Sequence, residues 1–358
     1  MAEEDKTEPK IKQLLVSSSP HLTDQSNTQG IMIEVIVWML PAVAFSIYNF
    51  QRYAVILLVS CLAGCVGTEL LFNLARKKPI SIVDGSAIIT AIILALSLPP
   101  LFPWWGALLG SVVAIGIAKM LFGGLGSNIF NPAMVGRAFL AACFGVMMNT
   151  WIDPFPGQLS ITVIVEAGAE QWEPVSGATP LSVAKKVIKD AFDKDIIAGM
   201  KDKVDVVNDE LMPSFLGNTG GSIGEASAAL WLAGGLLLLF RRIITYHIPL
   251  AVLGSAGLIA AFAWWLKPEV YPNPLVHLCG GGLMMCAFFI ATDLVTCPMS
   301  KLGRVIFGVG VGSLIMLIRL KGGYPEGVMY AVLLMNAMTP LLDRWTRPKP
   351  IGGHARAN

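Results

Sequence analysis

Charge is what this chain has least of. Asp, Glu, Lys and Arg together make up 14% of its 358 residues, against 54% for the hydrophobic ones, and that balance excludes a soluble domain of ordinary polarity. Cysteine is sparse as well: Cys61, Cys65, Cys143, Cys279, Cys286 and Cys297 are the whole supply. All fall in or beside apolar runs, with no CxxC pair and no Cys/His group at metal-ligand spacing, so neither a metal site nor an iron–sulfur ligand set is expected from this chain alone. His21, His247, His277 and His354 are scattered. No Gly-rich dinucleotide fingerprint occurs. The polar residues 1–29 contain no apolar core, which argues against a separate cleavable signal and leaves the first apolar run to direct insertion.

Apolar sequence is abundant and comes in long runs. Stretches able to cross the ~30 Å hydrocarbon core of a bilayer lie near 31–50, 53–75, 104–122, 131–149, 226–240, 243–266, 302–320 and 324–343. Two shorter ones, near 85–100 and 278–292, are interrupted by Gly or Pro. The expected fold is an all-α polytopic membrane protein with ten transmembrane segments. The chain divides into a tail at 1–29, a membrane block at 30–150, a polar loop at 151–225, a second block at 226–345 and a tail at 346–358. Positive charge tends to stay in the cytoplasm. With the N-terminus inside, cytoplasmic segments hold Arg76, Lys77, Lys78, Lys119, Arg241, Arg242, Lys301, Arg304 and Arg344 among others, and the short outer loops only Arg52, Lys267, Arg319 and Lys321. Both termini then read as cytoplasmic and 151–225 as external. That loop carries twelve acidic residues against six lysines, which suits a solvated surface and gives no reason to expect nucleic acid.

Within the loop, Ser176, Gly177, Ala178, Thr179 and Pro180 form a small, open turn. From Pro180 to about Phe192, Leu181, Ala184, Val187, Ile188 and Ala191 alternate at helical spacing with Lys185, Lys186, Lys189 and Asp190, which predicts a short amphipathic helix. Thr179 is then its N-cap and Pro180 its first residue. A phosphate esterified to the Thr179 oxygen would meet first-turn N–H groups and the positive end of the helix dipole, and Gly177 and Ala178 leave room for a bulky group. The plain alternative is that Thr179 only caps the helix.

The two blocks resemble each other in places. Gly85 precedes Pro132 by 47 positions and Gly280 precedes Pro325 by 45, and each Pro is expected to open a final long segment. Five segments per block is an odd number, so the second block must be inverted relative to the first, the arrangement in which paired discontinuous helices mark a central site. The two short segments, beginning near Asp84-Gly85 and Gly280-Gly281-Gly282, are those candidates. Charges in apolar runs are costly: Asp84, Asp293 and Arg137 read either as parts of an ion path or pocket, together with Asn128 and Asn131, or as caps and pairs. Glu34, Lys119 and Asp343 read as structural. Glu69 falls ~9 Å from the inner end of its segment at helical rise, neither central nor freely solvated. Trp104-Trp105 and Trp264-Trp265 are placed as interfacial belts.

These residues resemble a known family. Gly126-Ser127-Asn128-Ile129-Phe130-Asn131-Pro132-Ala133, Ala291-Thr292-Asp293 through Thr296, Gly303-Arg304, Gly322-Gly323-Tyr324-Pro325-Glu326-Gly327 and Leu334-Met335-Asn336 are similar to the RnfD/NqrB family of membrane redox subunits, and Ser176-Gly177-Ala178-Thr179 is similar to its flavinylation motif. The resemblance runs from Ser19 to about Asp343, and the short N-terminal tail favours RnfD. Glu173 stands where the motif usually has Asp, and Leu294 where Pro often follows Thr-Asp. The resemblance implies an FMN joined through its phosphate to Thr179 and installed by a flavin transferase. It leaves a further noncovalent flavin such as riboflavin open. It implies a bacterial inner-membrane complex with RnfA, RnfB, RnfC, RnfE and especially RnfG, coupling electron flow between ferredoxin and NAD to Na+ or H+ movement. No catalytic residue and no complete active site are expected on this chain. A flavin-free channel or transporter on the same repeat, or a scaffold for redox subunits, is the competing reading.

Overall fold

The computed structural model describes residues 27–77, 81–151, 154, 179–193 and 200–347, so Ser176, Gly177 and Ala178 of the predicted turn lie outside the described residues. Those residues contain helices and no strands. The helices are α1 (Thr28–Ala75), α2 (Ser86–Leu96), α3 (Trp104–Val112, continued as a π-helix over Val113–Met120), α4 (Pro132–Cys143), α5 (Pro180–Asp193), α6 (Met200–Asp209), α7 (Leu211–Leu216), α8 (Ala228–Phe240), α9 (His247–Leu266), α10 (Pro274–Cys279), α11 (Leu283–Met285, continued as a π-helix over Cys286–Ile290), α12 (Lys301–Lys321) and α13 (Val328–Trp345).

Short polar side chains set many of the starts. Asn131 accepts from the Met134 N–H with Pro132 at the first position of α4, Ser227 accepts from the Leu230 N–H at α8, and Ser300 from the Gly303 N–H at α12, each satisfying a donor the helix itself leaves orphaned. α1 holds the first two predicted segments in one continuous run. The chain reverses inside it at Gln51, whose φ of 46° lies in the left-handed region. Met32 and Ile36 from its first half and Glu69 and Asn73 from its second therefore meet the same short stretch, Ser81 to Gly85.

Each of the ten predicted apolar segments contains helix, but lengths differ from expectation. α1, α9 and α12 are long and apolar enough to cross a membrane, whereas α2, the α3 run, α4 and α8 are shorter apolar helices. α4 stops at Cys143 rather than reaching 149; at ~1.5 Å per residue its 12 residues cover ~18 Å. The exit is fixed by Phe144, which packs edge-on against Phe102 and Trp105 at centroid distances of 6.3 and 5.4 Å. Pro325 does not open the last helix either. α13 begins three residues later, at Val328, because Glu326 is turned inward to accept hydrogen bonds.

Side-chain contacts sort the bundle into two ends. At one, Arg241 pairs with Glu34 at 2.9 Å, Arg76 donates to the Met120 carbonyl at 2.6 Å and the Met299 N–H donates to Asp343 at 2.9 Å. At the other, Asn49 donates to Gly217 O at 2.7 Å, the Ile223 N–H to Leu98 O at 3.1 Å, and Lys185 to Tyr324 O at 2.5 Å. Between the ends, α9 and α12 approach closely over small residues: a Cβ on Gly308 would lie 2.6 Å from that of Ala251, and one on Gly312 would collide with Ser255, the packing that apolar helices use when water cannot drive them together. Leu71, Leu258, Phe262, Trp265 and Phe240 point outward, the last 84% exposed. So much outward apolar surface on long helices belongs against lipid.

Candidate functional site

Thr179 is placed as its sequence suggests. Its Oγ1 accepts the Ser182 N–H at 3.1 Å and its carbonyl accepts from Ser182 and Val183 N–H, so it is the N-cap of α5 with Pro180 as first residue. Leu181, Ala184, Val187 and Ile188 are buried, as the periodicity requires, and the opposite face carries Lys186 and Lys189. Lys185 ties the helix down by donating to Ile318 O at 3.2 Å as well as to Tyr324 O; burial depresses its pKa from the usual lysine range. Thr179 itself is 5% exposed. It lines a small cavity with Leu181, Ser214, Thr219, Glu225 and the Cys279-Gly280-Gly281 turn. Gly281 is held at φ 69°, and a Cβ there would lie 2.6 Å from Glu326 Oε1 and 2.7 Å from Arg319 Nη2, so glycine is required on both counts.

Behind that turn is a buried charge cluster that sequence spacing does not reveal. Counting charges by loop assigns Arg319 and Lys119 to the loops, yet each is only 2% exposed. They sit at the C-terminal ends of the α12 and α3 runs, where a cation also meets the negative end of the helix dipole. Arg319 donates to the carbonyls of His277 and Gly280, the latter at 3.0 Å. Glu326 accepts from Arg137 at 2.7 Å and from the Gly282 N–H at 2.7 Å, so Arg137 reaches across from one block to the other. Glu225, in the turn before α8, accepts from Ser222 at 2.8 Å, and burial followed by the nearby Glu326 carboxylate pushes it up to about 8.

The opposite end carries its own network. Lys119 donates to Glu69 at 2.8 Å and to Ser86 Oγ at 2.6 Å, and Ser81 also donates to Glu69. Asp84 accepts from the Ser86 N–H at 2.9 Å and from its hydroxyl at 2.6 Å, capping α2 after the left-handed Gly85. Lys119 and Arg319 therefore do the same job at opposite ends: each cation closes the fourth segment of its block and holds the start of the broken third. In the second block, however, the left-handed residue is Gly281 and not Gly280.

The remaining predicted site residues do not form one cluster. Asn128, Asn131 and Asp293 line a cleft together with Ser86, Thr90, Lys119, Phe288 and Phe289. Asn131 caps α4 and reaches Ile290 O at 3.5 Å across the blocks, and Asn128 Oδ1 is buried without a hydrogen-bond partner. Asp293 accepts from Val295 N–H and Thr296 Oγ1. Asp84 is bound up in its cap, and Arg137 lies at the other end. Glu34 and Asp343 are the structural groups expected, pairing with Arg241 and capping Met299. Sequence reasoning misses Glu225 altogether and sees Glu326 only as part of a motif. The usable signal is Arg319, a charge just inside an apolar run.

Helices of this length and apolarity, with their charges internalised at two ends, define a helical membrane protein. Residues 15–352 match the family described as NQR2, RnfD, RnfE. A subunit of the ion-translocating oxidoreductase complex of Stutzerimonas stutzeri is 42% identical over 93% of this chain and 94% of its own length. Two further relatives are complex subunits whose names specify the ion. The one from the proton-translocating ferredoxin:NAD(+) oxidoreductase complex of Clostridium ljungdahlii is 39% identical over 94% of this chain and 96% of its length. Its Na(+)-translocating counterpart from Acetobacterium woodii is 38% identical over 95% of each. This chain belongs to the NQR2, RnfD, RnfE family.

Proposed function

We propose that this chain is the RnfD-type electron-transfer subunit of an Rnf complex and holds an FMN through a phosphoester on the Thr179 oxygen. The observation that carries the reading is the cap itself. Thr179 Oγ1 stands at the start of α5, where a first-turn N–H already points at it and the helix dipole favours an anion. The glycine turn opposite leaves the wall without side chains. The cavity itself has room for about one water, so a flavin phosphate and ring joined there extend past the cap. A bound flavin supplies reversible electron transfer; the chain contributes the anchoring oxygen, the donors around it and the clamp at Lys185. Ser176, Gly177, Ala178 and Pro180 complete the attachment turn. A noncovalent flavin such as riboflavin would find apolar walls and the free Asn128 Oδ1 in the opposite cleft.

In this reading the ten segments form two inverted five-segment repeats, 30–150 and 226–345. The end holding Glu34 and Arg241 is cytoplasmic, as are the tails 1–29 and 346–358, and the loop 151–225 with Thr179 is external. The membrane is the bacterial inner membrane. RnfG, RnfA, RnfE, RnfC and RnfB are the partners, with a flavin transferase needed for maturation. The equivalence of Lys119 and Arg319 supports the repeat. The test is flavin fluorescence of the denatured protein on a gel, from cells that express the transferase. Wild type and Thr179→Ser keep a fluorescent band and Thr179→Val loses it at nearly constant volume; equal fluorescence in Thr179→Val and wild type would refute attachment at that oxygen.

A further inference from the structure

The cavity at Thr179 has a second side whose chemistry does not depend on a flavin. Glu225 lines it, and Glu326, from a separate segment, stands directly behind the Gly281 turn of the same wall, close enough for the two carboxylates to interact. Both oxygens of Glu326 are committed to donors, one to the Arg137 guanidinium and one to the Gly282 N–H. Glu225 has one oxygen on the Ser222 hydroxyl and the other turned toward the Gly221 backbone. Two carboxylates in such contact cannot both ionise away from bulk water. The second, independent observation is Ser214: its hydroxyl is buried, has no hydrogen-bond partner, and lines the same cavity. A hydroxyl that can both give and accept, beside room for about one water, is what a proton needs to reach a carboxyl.

We infer that Glu225 and Glu326 together bind one proton, carried on Glu225, and that the cavity lined by Ser214 and Thr219 is its entry. Glu326 stays ionised because Arg137 and the Gly282 N–H hold it. The charged and titratable groups facing the pair are Arg137 from α4, Arg319 from α12 and Cys279 from α10, with His277 and Cys286 beside Arg319. Its two arginines and one carboxylate leave net positive charge, so the cluster has no electrostatic need for a metal cation. The ligand is a proton, and the position, facing the α5 cap, puts proton uptake next to any change of charge at Thr179.

The measurement is pH-difference infrared spectroscopy on the intact purified complex, following protonated-carboxyl stretching bands that shift in heavy water. Wild type shows a band that persists at neutral pH and is lost on raising the pH. Glu225→Gln loses it, and Glu326→Gln moves its loss to lower pH, because the neighbouring negative charge is gone and both arginines remain. Adding sodium at fixed pH leaves the band in place. No such band in wild type overturns the inference, and this arm needs no variant to assemble. So does a band that survives Glu225→Gln, one whose titration ignores Glu326→Gln, or one that sodium removes. Repeating the wild-type experiment on Thr179→Val, which loses flavin if the attachment reading holds, leaves the band present; its disappearance would overturn the claim that the pair stands on its own geometry.

Discussion

Glu69 and Lys119 are 0% and 2% exposed, with 2.8 Å between carboxylate and ammonium. At an effective dielectric of ~20, two unit charges at that spacing attract by ~6 kcal/mol, and taking each ion out of water costs several kcal/mol. The intact pair is therefore close to neutral in its net effect, while either half alone is a buried charge without a counter-ion. Lys119→Met and Glu69→Gln should each destabilise by ~3–5 kcal/mol. The double variant should recover most of that loss. Ser81 and Ser86, which bond the pair, still have Asn73 and Asp84 as partners. The assay is a double-mutant cycle on the detergent-solubilised protein, read as denaturant midpoint or thermal retention of a monodisperse peak. A coupling of at least ~3 kcal/mol is expected. Single losses below ~1 kcal/mol that simply add would show that the pair is solvated and its burial misread.

Gly235→Ala places a methyl group inside contact distance of the Phe288 ring. It should destabilise by ~1–3 kcal/mol, and Phe288→Leu should relieve it, checked by the same stability assay. Glu34→Gln, at an exposed pair with Arg241, should leave stability unchanged and insensitive to salt; a marked loss would mean that end is shielded. Glu225 has a folded-state pKa of about 8 against an ordinary 4.5, so the folded protein holds a proton that the unfolded chain releases. Its contribution to stability is fully present below pH 4.5 and is lost as pH rises through about 8. Glu225→Gln should flatten that part of a stability–pH profile; an unaltered slope would refute the assignment.

The helices were legible because apolar runs and polar starts are local signals. Asn131-Pro132 and Thr179-Pro180 each announce a cap and a first turn, and both occur. Boundaries governed by contacts were not legible. Nothing near Cys143 says that Phe144 will turn out to meet Trp105, and nothing near Pro325 says that Glu326 will abandon the helix for Gly282 and Arg137. The candidate site was half legible for the same reason. Thr179 can be read from its neighbours in sequence, whereas Glu225, Glu326, Arg137 and Arg319 converge only after both blocks have packed. Assigning charges to loops also fails where a long side chain turns inward, as those of Arg319 and Lys119 do.

The grip of Lys185 on two main-chain oxygens, at Ile318 and Tyr324, constrains how the flavin proposed at Thr179 would behave. Such a clamp rules out a swinging-arm carrier that ferries between docking stations. A flavin attached at position 179 as proposed would be parked at a constant separation from the bundle, and any exchange with it would require the other molecule to travel.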